Sequence, residues 1–340
     1  MFSRIYIVIS FLLVFLVFVG CTKQIDIDVG DFDKRLVINS LITTDEPIKV
    51  ILARSESVGE NIQDRYIQNA VIELYKGDDF VEHLQETVLE DSVYNYYTNE
   101  NEVSTIKRSI YTSSVLAEEG ASYTLKTGYE GYNDVSAETS VPKYIEIKEI
   151  DFSSLKPVTN NNGGNTYLSG SVYIDIDDPA DEINYYGIDW FTEYTDDAYA
   201  ESVYNETTGE YELDTVERTY LNHVYFQVVR GESAVAEELD LELEPDLPIF
   251  SEEDAEIDVH NLRLYADHIY LGNNNDNLTN VKHIFYLKSI SEDFYRYELT
   301  RIRQDYLQDN FLAEPVFVYS NVENGLGIFA GVNESTYTSE

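Results

Sequence analysis

LVINSLI (residues 36–42), IKVILA (48–53) and AVIELY (70–75) are the runs that decide the fold class. Each is six or seven residues long, rich in Val, Ile and Tyr, and closed by turn formers such as Asp45-Glu46-Pro47 and Gly77-Asp78-Asp79. That is the signature of short strands rather than of helices. Val81–Val88, Ser92–Thr98, Thr105–Tyr111 and Tyr123–Tyr129 continue the series, with Gly120, Gly128 and Gly131 marking turns. About seven strands in about 110 residues fit a β-sandwich of the immunoglobulin or transthyretin kind.

Val141-Pro142 is a natural seam, so residues 35–143 are expected to form the sandwich domain and 144–340 a second β-rich domain. In the second, Ile145–Ile150, Ser171–Ile176, Tyr185–Tyr194, His223–Arg230, Ile257–Tyr265 and Val281–Ile290 have strand composition. The polar run Asn160–Asn165 reads as a loop between them, and long acidic connections are expected elsewhere. One helix is expected near 291–308. Ser289-Ile290-Ser291-Glu292 has the form of a capping box, and Tyr295, Leu299, Ile302 and Tyr306 recur on one face for packing against a sheet. The fold class is therefore mainly β: a sandwich followed by an antiparallel β-rich domain with one packed α-helix.

Upstream lies a different kind of sequence. Ile5–Val19 holds fifteen uncharged residues behind Arg4 and is followed by Gly20 and Cys21, the only cysteine. As a helix it would measure roughly 22 Å, short of the ~30 Å hydrocarbon core. The length suits a signal peptide over residues 1–20, and Val19-Gly20-Cys21 resembles the lipobox of bacterial lipoproteins. On that reading Cys21 receives a covalent lipid and residues 21–34 are a tether. The other reading of a lone thiol is a buried free cysteine. Several acyl chains at ~0.8 kcal/mol per buried methylene would hold the mature protein to a membrane while its domains stay in water.

Removing residues 1–20 leaves 21 basic against 64 acidic side chains, a formal charge of −43. Such a chain has no basic surface for a phosphate backbone, so nucleic acid is excluded as a partner. With one cysteine there is no intrachain disulfide, and the core must supply the stability. Fifteen acids and no Lys or Arg lie between Ile174 and Glu217, and twelve more with none between Glu232 and Asp258. Two readings stand: solvated loops and strand faces, or a docking surface for a basic partner.

No nucleophile elbow, P-loop or zinc motif is present, so no catalytic residue is assigned and an enzyme is not expected. Gly325-Leu326-Gly327 is read as a tight turn entering a last strand over Gly327–Gly331. Asp175, Asp177, Asp178 and Asp181, with Glu182, supply oxygens a calcium ion would accept, although the spacing is not that of an EF-hand and Asp178-Pro179 starts turns. The Asn273–Asn277 run invites the same reading. The histidines at 83, 223, 260, 268 and 283 show no ligand spacing. Among 29 tyrosines stands one tryptophan, Trp190, read either as core or as a ring for stacking a ligand. Arg296, Arg301 and Arg303 gather on the helix and are expected to pair with neighbouring carboxylates.

Four stretches carry a resemblance: Leu36–Leu41 with Ile48–Ala53; Asn69–Leu74; Gly120–Leu125 running to Val141-Pro142; and Glu314-Pro315-Val316 through Ser320–Phe329, preceded by Ser291–Tyr295. The chain is similar there to a Bacteroidota family of outer-membrane lipoproteins known only as domain of unknown function 4249. What the resemblance implies is a β-rich accessory lipoprotein, lipid-anchored in the outer membrane and facing the exterior, often encoded beside TonB-dependent receptors. The expected role is a non-enzymatic binding or accessory subunit of such a receptor in nutrient uptake. The alternative is a structural or adhesive envelope lipoprotein whose acidic face binds divalent cations.

Overall fold

The computed structural model describes residues 33–56, 65–94, 103–159, 166–179, 182–205, 210–230, 248–253, 257–270, 278–307 and 316–339. The leader 1–20, Cys21, most of the tether, Asp181, the Asn160–Asn165 loop and the Asn273–Asn277 run lie outside these residues. The first strands are β1 (Leu36–Ile42), β2 (Pro47–Arg54), β3 (Val71–Lys76), β4 (Asp79–His83), β5 (Gln85–Tyr94), β6 (Val103–Leu116), β7 (Ser122–Gly128) and β8 (Val135–Ser140). There follow β9 (Ile147–Asp151), β10 (Lys156–Thr159), β11 (Thr166–Ile176), β12 (Tyr185–Asn205), β13 (Glu210–His223), β14 (Gln227–Val228) and β15 (Ile249–Ser251). Last come β16 (Leu262–Tyr270), β17 (Leu278–Ile290), the helix α1 (Glu292–Leu307), β18 (Val322–Glu323) and β19 (Leu326–Thr338). The mainly β class is as expected. No helix among the described residues is long and apolar enough to cross a membrane.

One long sheet runs in the order β13-β12-β17-β19-β1-β2-β6-β5, with β15 pairing the start of β12. Two five-stranded sheets complete the fold: β18-β8-β7-β3-β4, and β10-β11-β16-β14 with β9 also on β11. Strand alternation assigns the faces. In β1, Leu36, Ile38 and Ile42 turn inward, and in β2 so do Ile48, Val50 and Leu52. They meet Ile72 and Leu74 of β3, Tyr123 and Leu125 of β7, and Val135 and Ala137 of β8 in one buried cluster. Farther along the same sheet, Tyr186, Ile188 and Trp190 of β12 and Phe285 and Leu287 of β17 meet Val172 and Ile174 of β11 and Leu264 and Ala266 of β16. Each cluster is a face-to-face packing of two sheets.

Several details differ from the sequence reading. Every described ladder is antiparallel except β1 with β19, which run parallel with Val37 opposite Leu326 and Ile42 opposite Gly331. The run read as one strand at 81–88 is split, with Leu84 between β4 and β5, and β8 and β10 were not anticipated. The acidic run after Tyr194 is no loop: β12 extends to Asn205 and pairs with β13 from Phe191↔His223 to Asn205↔Glu210. Of the residues read as a strand at 223–230, His223 ends β13 and only the two-residue β14 follows, and a 3-10 turn at Val259–Asn261 precedes β16.

Helix α1 lies on the other face of the long sheet. Its Phe294, Tyr295, Leu299 and Ile302 pack on Ile249, Ile290 and Val332. Ile290 and Val332 stand at the opposite parity to Leu287 and Phe329, which face the sandwich interiors. The cap is Ser291, whose Oγ accepts from Phe294 N at 3.4 Å. Ser289, read as the cap from the sequence, is a buried residue of β17.

Candidate functional site

The acids singled out from the sequence are drawn to separate partners. Asp175 Oδ1 lies 3.3 Å from His260 Nδ1, and Asp177 pairs with Lys148 at 2.9 Å. Asp178 turns inward, accepting from Asn184 Nδ2 at 3.2 Å and from the buried Tyr186 hydroxyl. Glu252, beside β15, accepts from Asn184 N at 2.8 Å. Burial, then the hydrogen bond with Asp178, raises the Glu252 carboxyl above its ordinary pKa. Burial first, and Asp178 next, raises the Tyr186 phenol as well. The arrangement sets the Glu252 carboxyl beside that of Asp178 and favours its protonated form. It pins the end of β11 to the start of β12. Among the described residues no three His, Cys, Asp or Glu side chains converge as a cation would require.

Trp190 is fully buried, so the core reading holds and the indole presents no surface for stacking a ligand. Its ring stacks on Phe285 at 4.9 Å, and Nε1 donates to His283 Nδ1 at 3.2 Å. The five histidines do not gather. His83 stands beside Phe80, His223 beside Phe191, His260 beside Asp175, and Tyr167 stacks on His268.

What the fold exposes is the opposite face of the same strands. With Trp190 and Ile188 turned inward, Asp189, Phe191 and Glu193 must turn outward. Register then sets His223 opposite Phe191 and Tyr286 opposite Asp189. The outcome is a row of rings across three neighbouring segments. Tyr286 and Phe191 are 5.6 Å apart, Phe191 and His223 5.0 Å, and His223 and Tyr225 5.2 Å, each pair edge to face. Tyr225 is 83% exposed and Leu221, on the same face, 56%.

Ion pairs frame the row. Lys282 bonds Glu193 at 3.0 Å, while Lys288 bonds Asp189 and reaches Glu334 at 4.0 Å. A row of rings, half-buried at Phe191 and Tyr286 and exposed at His223 and Tyr225, edged by hydrogen-bonding charges, can hold a partner by ring contact and orient it by polar contacts. The sequence contained Phe191 within the stretch around Trp190, but nothing in it set His223 and Tyr225 alongside. Only the 32-residue separation closed by the β12–β13 ladder does so.

A concavity of about 410 Å³ lies beside the first two turns of α1, between Phe294, Tyr297 and Glu298 and the residues Leu41, Ile51 and Ile328 of the sheet. The helix arginines are committed: Arg301 bonds Glu298 and Asp305 at 2.6 and 2.8 Å, and Arg296 bonds Glu292.

The stretches that suggested a family fall in β1, β2, β3, β7, β8, the start of α1, β18 and β19, and the model of one family, described as a domain of unknown function (DUF4249), matches residues 22–338. The chain belongs to the DUF4249 family. No curated protein matches it. The DUF4249 match includes both sandwiches, α1 and the parallel β1–β19 pair, and it begins at Thr22, directly after Cys21.

Proposed function

We propose that this DUF4249 protein is a lipid-anchored accessory lipoprotein of the outer membrane, facing the exterior, that binds rather than catalyses and serves a TonB-dependent receptor in nutrient uptake. The observation that carries the reading is Cys21. It follows an uncharged fifteen-residue run and Gly20, and the family match starts at the next residue. A mature chain that begins with a lipidated cysteine needs a tether before its first strand, and β1 begins fifteen residues later at Leu36. The binding role is supported by the ring row from Tyr286 to Tyr225, which lies on the surface and serves no core.

The test has two arms. Cys21→Ser should abolish lipid attachment and leave the protein at its unprocessed size, with the leader still on it; unchanged sedimentation at mature size would overturn the anchor. Purification of the tagged protein from detergent-solubilised outer membranes should recover a TonB-dependent receptor. Recovery should fall at least several-fold for a Phe191→Ala/Tyr225→Ala variant that keeps the wild-type circular dichroism. Repeated failure to recover any receptor would overturn the partnership.

A further inference from the structure

The hydrogen bond between Trp190 and His283 fixes a protonation state. An indole Nε1–H can only donate, so His283 Nδ1, 3.2 Å away, must accept, and the single proton of the neutral ring sits on Nε2. His283 is 9% exposed, and Phe152 stacks on its ring at 5.0 Å. Opposite it in register is Thr192, fully buried, whose Oγ1 has no hydrogen-bond partner. The nearest charge on its own strand, Lys282, is on the outer face and bonded to Glu193. Two residues along the neighbouring strands from the positions beside His283 stand the phenols of Tyr194 on β12 and Tyr337 on β19. Among the described residues no carboxylate bonds the ring to offset a positive charge.

The backbone of the same residue secures the end of the chain. His283 N donates to Ser339 Oγ at 2.8 Å, and Ser339 N donates to His283 O at 2.9 Å. These bonds close the β17–β19 ladder just past Ile284↔Thr338. From this geometry we propose that the Trp190–His283 pair is an acid-operated latch: a proton on Nδ1 sets one N–H against another, the ring swings out, and the carboxyl-terminal end of β19 is released from β17 at His283.

Burial is the cause of the low affinity for that proton and holds His283 down at about 4, against 6.5 for an exposed ring. The closed latch is therefore fully favoured above the exposed value. It loses ground as pH falls toward 4 and loses no more below it. At pH 5 the open fraction should be about 30-fold larger than at pH 8, because the open ring takes up a proton that the closed ring refuses.

The experiment uses the full-length protein and two readouts. Amide hydrogen exchange at residues 336–339, corrected for intrinsic rates, should quicken by about that factor between pH 8 and pH 5. Over the same interval the emission of the single tryptophan should change while the far-ultraviolet circular dichroism stays constant. His283→Asn, which keeps an acceptor near Nδ1 but cannot titrate, should abolish both changes. Persistence of either change in that variant, or no change in the wild type before global unfolding, would overturn the latch. Should the variant fail to fold, the His283 Cε1 resonance of the wild type decides: an Nε2–H tautomer titrating below pH 5 supports the proposal, and titration near 6.5 overturns it.

Discussion

Gly327 stands at φ +97°, and a Cβ there would lie 2.0 Å from the carbonyl oxygen of Ile38. Both facts exclude a larger residue: the torsion is one that side chains resist, and the space is occupied by main chain of β1. Gly327→Ala should therefore cost about 3 kcal/mol or more, read as a lowered urea midpoint at unchanged slope. A glycine turn here was legible in the sequence, but the contact with β1, nearly three hundred residues away, was not. Glu252 makes a second test at this scale. Its folded pKa is raised, first by burial and then by Asp178, so its protonated form is the stabilising one. That contribution is present below the ordinary carboxyl range and lost as pH rises above it. Wild type should thus gain on Glu252→Gln as the pH is lowered from 8 to 4, by chemical unfolding at each pH; a difference independent of pH would refute the raised Glu252 carboxyl. Nothing in the sequence joins Asp178 to Glu252, because their meeting depends on β15 pairing with β12.

At the scale of elements, α1 was the most legible feature, expected near 291–308 and found at Glu292–Leu307. Its periodic stripe is a local property and survives into the structure in Tyr295, Leu299 and Ile302, although Tyr306 ends up 45% exposed. The cap was misplaced by two residues, since Ser289 is claimed by β17. Ser291 caps the helix and its Oγ also accepts from Gly331 N at 3.3 Å. Ser291→Ala should destabilise by about 1 kcal/mol, or slightly more for the second lost bond, measured by thermal or urea unfolding. The β12–β13 hairpin shows the opposite case. Residues 196–217 hold eight acids and no Lys or Arg, and composition of that kind reads as loop. The ladder nonetheless runs through it to Asn205↔Glu210, with one register shift between Asp196 and Tyr199. Strand pairing can carry such a sequence where propensity alone would not.

For the whole molecule, the decisive strand is the last one. β19 lies between β17 and β1 in the middle of the long sheet, so it joins strands from both ends of the chain. Its Phe329 enters the first buried cluster and Tyr337 packs against the second. Deleting residues 326–340 should prevent folding of both sandwiches rather than loosen one end. The check is loss of the β circular-dichroism signal and of a discrete peak on gel filtration, and a folded product would refute the claim. The sequence by itself determined the mainly β class, the inward positions of strands such as LVINSLI, the helix near 291–308 and the candidate anchor at Cys21. These follow from periodicity, turn residues and composition, which act over a few neighbouring residues. Only the tertiary structure decided that one sheet serves both sandwiches, that Trp190 is paired inside while Phe191 joins the exposed rings, and that Asp178 meets Glu252. Those outcomes are set by which strands pair and in what register, and a one-residue shift would turn every side chain to the other face.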